Sequence, residues 1–275
     1  MVQEIQNELQ KKLIELIPSA EMVVLAKTGS DVTSIAVRIA RGYTDKTKVL
    51  RCGYHGWHDW YLAANIGAER LDEHLFNGID PIGIPRALEG TSIPFKYGDL
   101  EMLEDLLKGN DGEVACIIME PMRTEMPPPG YLEGVRELAT RYGVVLIFDE
   151  VSSGFRIALG GVQEHVGVTP DMSVFAKAIS NGYPMGAVVG KREFMEPASR
   201  MFISSAYWDD SVGIVAALTT LKELQRRDAV AHFERIGGKF KAEVNRIAAE
   251  VELDAECVGV AAHPGIRFNV DDPET

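Results

Sequence analysis

Val144-Val145-Leu146-Ile147-Phe148-Asp149-Glu150, then Val174-Phe175-Ala176-Lys177-Ala178-Ile179, then Gly186-Ala187-Val188-Val189-Gly190: these runs decide the fold of this 275-residue chain. Up to its acid or lysine, each is apolar at successive positions rather than at every second one, the pattern of a strand covered on both faces. The first ends on an acid, Asp149, and the second is followed by Lys177. In sheets of parallel strands, ligands bind just beyond the carboxyl ends of the strands. A buried acid and a lysine at two such ends therefore mark a candidate site.

Working outward, residues 22–26, 48–52 and 114–119 read as further strands and 265–270 as strand-like. Apolar spacing of three and four (Ile5, Leu9, Leu13 and Ile14, then Ile17) predicts a helix over 3–17, stopped by Pro18. Helices are also expected over 32–43, 99–108, 131–142, 192–199, 209–227 and 229–250, the last with Phe233, Ile236, Phe240, Val244 and Ile247 on one side. Strands alternating with helices indicate an α/β fold with a mostly parallel central sheet and helices on both faces. A long irregular stretch after Trp60, punctuated by Gly78, Pro81, Gly83, Pro85 and Gly90, is expected to line a site or a subunit contact.

The bulk composition, 46% hydrophobic and 25% charged, is that of a globular chain of one domain or one and a fraction. A net charge of −13 with scattered lysines and arginines argues against nucleic acid and anionic membranes as partners. Cys52, Cys116 and Cys257 are odd in number and widely spaced, as expected of reduced, buried thiols. The first residues show no basic and apolar leader, and nowhere do eighteen apolar residues run uninterrupted, so a soluble cytoplasmic protein is expected.

The pair Asp149 and Lys177 matches what pyridoxal 5′-phosphate asks of a protein. It needs an amine to hold its aldehyde as a Schiff base, and an acid beside its ring nitrogen so that the ring can draw electrons. Gly29-Ser30 before a helix offers free backbone N–H groups and the helix dipole to a phosphate, with Asp31 following and expected to point elsewhere. An ordinary Ser N-cap reads the same turn equally well. Tyr54-His55-Gly56 supplies an aromatic ring; a core tyrosine, or a metal site from His55, His58 and Asp59, are the other readings, and three ligands on one short loop without cysteine suit zinc poorly. Glu120 stands at the end of strand 114–119, where capping that end is the plain alternative.

With these residues in view, the sequence resembles a class III, pyridoxal-phosphate-dependent aminotransferase of fold type I, close to the glutamate-1-semialdehyde aminomutase-like group. The resemblance is carried by Ile147–Arg156 and Lys177–Gly186 and runs from about residue 4 to about 270. It implies catalytic roles for Lys177 and Asp149 and cofactor contacts from Gly29, Ser30, Asp31, Tyr54, His55, Glu120, Asp149, Val151, Ser152 and Lys177. It also implies a homodimer with amine and carbonyl substrates, in which the segment Ser205-Ala206 reaches the neighbouring subunit's phosphate. Ala206 stands where the family usually has threonine and cannot donate that bond. By the same resemblance, residues 1–228 are a large cofactor-binding domain lacking an N-terminal segment, and 229–275 begin a truncated C-terminal small domain. The implied activity is amino-group transfer, as a transaminase or an aminomutase; the contrasting reading is a non-catalytic homologue acting as an interaction module. A nicotinamide dehydrogenase would need a G-x-G-x-x-G turn after a strand, which the sequence lacks.

Overall fold

A computed structural model describes residues 2–66, 80–208 and 210–269. Gly78 of the irregular stretch, the start of the helix expected at 209, and the end of the strand expected at 265–270 lie outside the described residues. In chain order the elements are α1 (Val2–Leu16), β1 (Met22–Ala26), α2 (Gly29–Thr44), β2 (Lys48–Cys52), α3 (Asp59–Leu62), β3 (Ser92–Pro94), α4 (Leu100–Gly109) and β4 (Val114–Met119). They continue with α5 (Tyr131–Arg141), β5 (Val145–Asp149), α6 (Val162–Val166), β6 (Met172–Phe175), β7 (Gly186–Gly190) and α7 (Arg192–Met195). The last are α8 (Val212–Arg226), α9 (Ala229–Glu250), β8 (Ala255–Val258) and β9 (Gly265–Phe268).

β1 to β7 form one seven-stranded sheet in the order β1-β7-β6-β5-β4-β2-β3. The β2–β3, β2–β4, β4–β5 and β5–β6 pairs are parallel, whereas β7 runs antiparallel to both β6 and β1. The fold is thus α/β with a mostly parallel sheet. Gly186–Gly190 is buried throughout like its parallel neighbours, so burial pattern alone could not reveal its reversed direction. Because β7 is the reversed strand, β1 is parallel to the rest, and the carboxyl ends of β1, β2, β4, β5 and β6 share one edge.

The alternation of side chains along the strands divides the core in two layers. Cys116, Ile118, Val145 and Ile147 pack under α2 with Val32, Ala36 and Ile39. Ile117, Met119, Leu146 and Phe148 pack under α4 and α5 with Leu103, Leu107, Leu132 and Val135. A third cluster joins Leu9 and Leu13 of α1 to Ile214 and Leu221 of α8 over Ala187 and Val189 of β7. Burial in these layers raises the Cys52 and Cys116 thiols to about 12, which keeps both protonated and inert.

Two features of the chain's last third were not part of the sequence reading. The apolar stripe of α9 does not face the core: Ile236, Phe240 and Ile247 are 43%, 49% and 45% exposed, while its buried positions are Ala229, Gly237 and Ala248. At Gly237 the helix presses so close to Ala261 that no side chain would fit. β8, a short strand in a mostly polar segment, has no apolar run to announce it; it pairs with β9 in a separate two-stranded sheet.

Candidate active site

At the shared carboxyl edge, a cavity of 420 Å³ is lined by Gly29 and Ser30 after β1, Tyr54, His55 and Gly56 after β2, Asp149, Val151 and Ser152 after β5, and Lys177 after β6. Topology alone brings these groups together: each follows a strand that points the same way.

The turn after β1 is an N-terminus of α2, and its cap is Thr28 rather than Ser30. Thr28 Oγ1 accepts the Asp31 N–H at 3.1 Å, while Asp31 Oδ2 accepts the Thr28 N–H at 3.0 Å, a reciprocal capping box. Asp31 therefore points back at its own helix cap, and it lines a separate cavity of 400 Å³. The backbone N–H groups of Gly29 and Ser30 precede the first bond within the helix, Val32 N–H to Thr28 O, and stay available at the positive end of the dipole. Two glycines let the chain close around this turn. A Cβ at Gly56, whose φ is +103°, would stand 2.4 Å from Ser30 Oγ, and one at Gly29 would stand 3.3 Å from Val151 Cγ1.

Asp149 is 2% exposed and accepts a donor on each oxygen. His55 Nδ1 lies 2.7 Å from Oδ2, and the Val151 N–H lies 3.0 Å from Oδ1. Tyr54 meets Tyr61 edge-on, ring centroids 5.9 Å apart, and is one of the residues that line the cavity. His55 turns to Asp149 and His58 to Ser34, whose Oγ is 2.6 Å from His58 Nδ1, so the two imidazoles of this loop diverge.

Lys177 has φ +44°, a left-handed backbone that few non-glycine residues adopt, and it opens a short turn, Lys177–Ile179. Its Nζ donates to Ser152 Oγ at 2.6 Å. Lys177 is exposed although the residues that flank it in the sequence are apolar. The reason is position. Lys177 and Gly182 line both the 420 Å³ cavity and a larger one of 920 Å³ beside α8 and α9, so the amine stands where two open spaces meet.

Glu120 does not line the cavity. It is 8% exposed, lies beneath the loop after β2 and accepts the Tyr54 N–H at 3.1 Å, with Arg123 Nε 3.8 Å away. Burial and then the charge of Asp149 raise its carboxyl above the ordinary range. Ser205 and Ala206 line the neighbouring 400 Å³ cavity beside Lys27, Asp31 and Arg38, and Ser205 Oγ accepts the Tyr207 N–H at 3.3 Å. The sequence reading did not assign Thr33, Pro184 and Met185, which also line the active cavity. Pro184 and Met185 arrive at this edge by preceding β7, the reversed strand.

Residues 1–259 match the family model described as aminotransferase class-III. The chain belongs to the class III aminotransferases. This member is 45% identical over 99% of its length to a 3-aminobutyryl-CoA aminotransferase of Cloacimonas acidaminovorans, covering 64% of that protein. It is 38% identical over 89% of its length to a glutamate-1-semialdehyde 2,1-aminomutase of Geotalea daltonii, covering 58% of it. Among solved structures, the FumI protein of Sphingopyxis sp. MTA144 superposes with a TM-score of 0.87 at 26% identity, over 98% of this chain and 63% of that one. An omega-transaminase of Sphaerobacter thermophilus gives 0.81 at 26% identity, over 94% of this chain and 62% of that one. The class III chain therefore spans less than two thirds of the length of each of these relatives.

Proposed function

We propose that this class III chain binds pyridoxal 5′-phosphate in the 420 Å³ cavity and transfers amino groups from an amine to a carbonyl compound. The observation that carries the reading is the convergence of Lys177, Asp149, the Gly29-Ser30 turn and Tyr54 on one cavity. The residues fit the group. A phosphate suits free N–H groups at a helix N-terminus that glycines leave open to close approach, and a ring nitrogen suits the carboxylate of Asp149, which His55 and Val151 hold from behind. The FumI structure holds pyridoxal phosphate by its description, which adds to this reading.

When bound, the cofactor supplies an aldehyde that condenses with amines and a ring that withdraws electrons from the carbon bearing the amine. Lys177 would supply the amine that holds the aldehyde, and its Nζ would be the group that moves a proton at the substrate carbon. Ser152 holds Lys177 Nζ in place by accepting its hydrogen bond. Asp149 would face the ring nitrogen, Tyr54 and Val151 would contact the ring, and Gly29 and Ser30 would hold the phosphate. Glu120 acts from beneath, by fixing the backbone at Tyr54. Asp31 serves the helix cap.

The Cloacimonas relative, by its name, acts on an acyl-CoA carrying an amine at C3, so amines of that class are the first to assay. We further propose a homodimer in which Ser205 and Ala206 approach the partner's site, a cytoplasmic location, and a division into residues 1–228 and 229–275. The separate β8–β9 sheet supports that division. Among the described residues no helix is long and apolar enough to cross a membrane.

The test is cofactor titration of the purified protein. A visible absorbance band should appear, borohydride should fix the cofactor onto Lys177, and Lys177→Ala should abolish both. No band at saturating cofactor would overturn the proposal.

A further inference from the structure

We infer that Arg156 is a specificity-determining residue of the 920 Å³ cavity beyond Lys177, where its guanidinium holds a carboxylate on the end of the amine substrate that does not react. This deepens the function proposed above and rests on it for the reacting amine. Arg156 and Lys177 line that cavity together, with Ala262 and the apolar Phe155, Leu224 and Phe233. Lys177 and Gly182 also line the 420 Å³ cavity, so a substrate whose amine reaches Lys177 can leave its far end in the larger space.

Arg156 offers a donor that nothing accepts. Its Nε is buried and has no hydrogen-bond partner among the described residues. Burial lowers the guanidinium from its ordinary value, and no described carboxylate stands near enough to raise it again. The acids of the neighbourhood are engaged elsewhere. Glu223 lines the same cavity, but its Oε1 accepts Arg226 Nε–H at 2.9 Å, and its Oε2 accepts Arg226 Nη2–H and Arg227 Nε–H, each at 2.6 Å. Glu234 lines a 540 Å³ cavity that Arg156 also reaches, without pairing with it. A buried cationic donor left without an acceptor is costly, and the planar fork of a guanidinium matches the two oxygens of a carboxylate. In a chain of net charge −13, this wall of the cavity is locally cationic.

The loop between β8 and β9 completes the wall. Burial, and then the charge of Arg156, lower the His263 imidazole, and Lys177 acts in the same sense. His263 Nδ1 is buried and has no hydrogen-bond partner among the described residues. Three nitrogen-bearing side chains thus stand together, and no described carboxylate counters them at His263. Close packing brings the loop there. A Cβ at Gly259, whose φ is +84°, would stand 2.6 Å from Thr124 O, the same oxygen that accepts the Val260 N–H at 3.0 Å. Lys241 Nζ donates to Gly259 O from α9. The chain's last third therefore reaches the cavity into which the lysine after β6 opens.

Two matched amines test this on the chain with pyridoxal 5′-phosphate bound, their dissociation constants read from the shift of the cofactor's absorbance band. 3-Aminobutanoate and 2-aminobutane share a skeleton and differ by a carboxylate in place of a methyl group. The wild type should bind the acid about tenfold or more tightly, since a hydrogen bond to a charged group is worth that much. Arg156→Gln should erase the preference by weakening the acid alone, leaving 2-aminobutane within about threefold of the wild type. No preference in the wild type, or a preference that survives Arg156→Gln, would overturn the inference. The Arg156 Nε–H signal in ¹⁵N spectra of the unmodified chain without cofactor gives an independent reading: acetate should shift it, and an unchanged signal in excess acetate would overturn the inference. A wild type that binds no cofactor would defeat the proposed function, while the response to acetate would still decide the role of Arg156.

Discussion

Glu120 Oε2 accepts the backbone N–H of Tyr54 at 3.1 Å, so the carboxylate at the end of β4 straps down the loop that carries the cavity's aromatic ring. The fit is close: a Cβ at Gly53, whose φ is +113°, would lie 2.5 Å from the same oxygen. Removing the strap with Glu120→Ala should cost about 2 kcal/mol of stability, the worth of a hydrogen bond to a charged group.

The same residue gives the fold a pH dependence. Burial, and then Asp149, raise the Glu120 carboxyl above its ordinary value of 4.5. A group with a raised value in the folded state contributes stability that is complete below the unfolded value and is lost as pH rises through the folded one. Glu120→Gln carries no charge at any pH and should abolish that part of the decline. Urea midpoints measured upward from about pH 4.5 would check this, and parallel profiles for the two proteins would refute it.

Glu150 follows the acid of the site but belongs to the scaffold. It is fully buried and accepts the Val162 N–H at 2.9 Å, the Gln163 N–H at 3.2 Å and the Ser153 hydroxyl at 2.8 Å. Glu150→Ala would leave buried donors unmatched and should cost about 3 kcal/mol or more. Thermal unfolding should show the loss, and a melting temperature equal to the wild type's would show that water replaces the carboxylate.

Asp31 and Thr28 cap α2 reciprocally. Asp31→Ala should therefore lower stability by about 1 kcal/mol and leave affinity for pyridoxal phosphate unchanged or slightly higher. A large loss of affinity at unchanged stability would place Asp31 on the cofactor after all.

Ser152 holds the amine of Lys177 at 2.6 Å. Ser152→Ala should keep cofactor binding and slow amino transfer by about tenfold, the kinetic equivalent of one hydrogen bond that orients the reacting nitrogen. Single-turnover rates measure this directly, and a rate equal to the wild type's would mean that the amine is oriented without the hydroxyl.

Much of the architecture was legible in residue order. The runs at 114–119, 144–148, 174–176 and 186–190 are apolar at every position, which marks covered strands, and strand ends place Asp149 and Lys177 without further information. Helix 229–250 was legible to the residue, because period and length suffice for a helix. Its burial was not, since a stripe of apolar residues records only what a helix can cover, and the covering element is set by packing.

The sequence by itself determined which groups stand at the strand ends: an acid, a lysine, a glycine turn and an aromatic, each of a type that one cofactor uses. Tertiary structure alone decided what each polar group does there. Strand direction brought Pro184 and Met185 to the cavity, and hydrogen-bond geometry turned Asp31 onto a helix cap and Glu120 under a loop. It also gave His55 a partner on one nitrogen and none on the other. Residue type limits the bonds a side chain can make, and only the approach of distant strands selects which of them it makes.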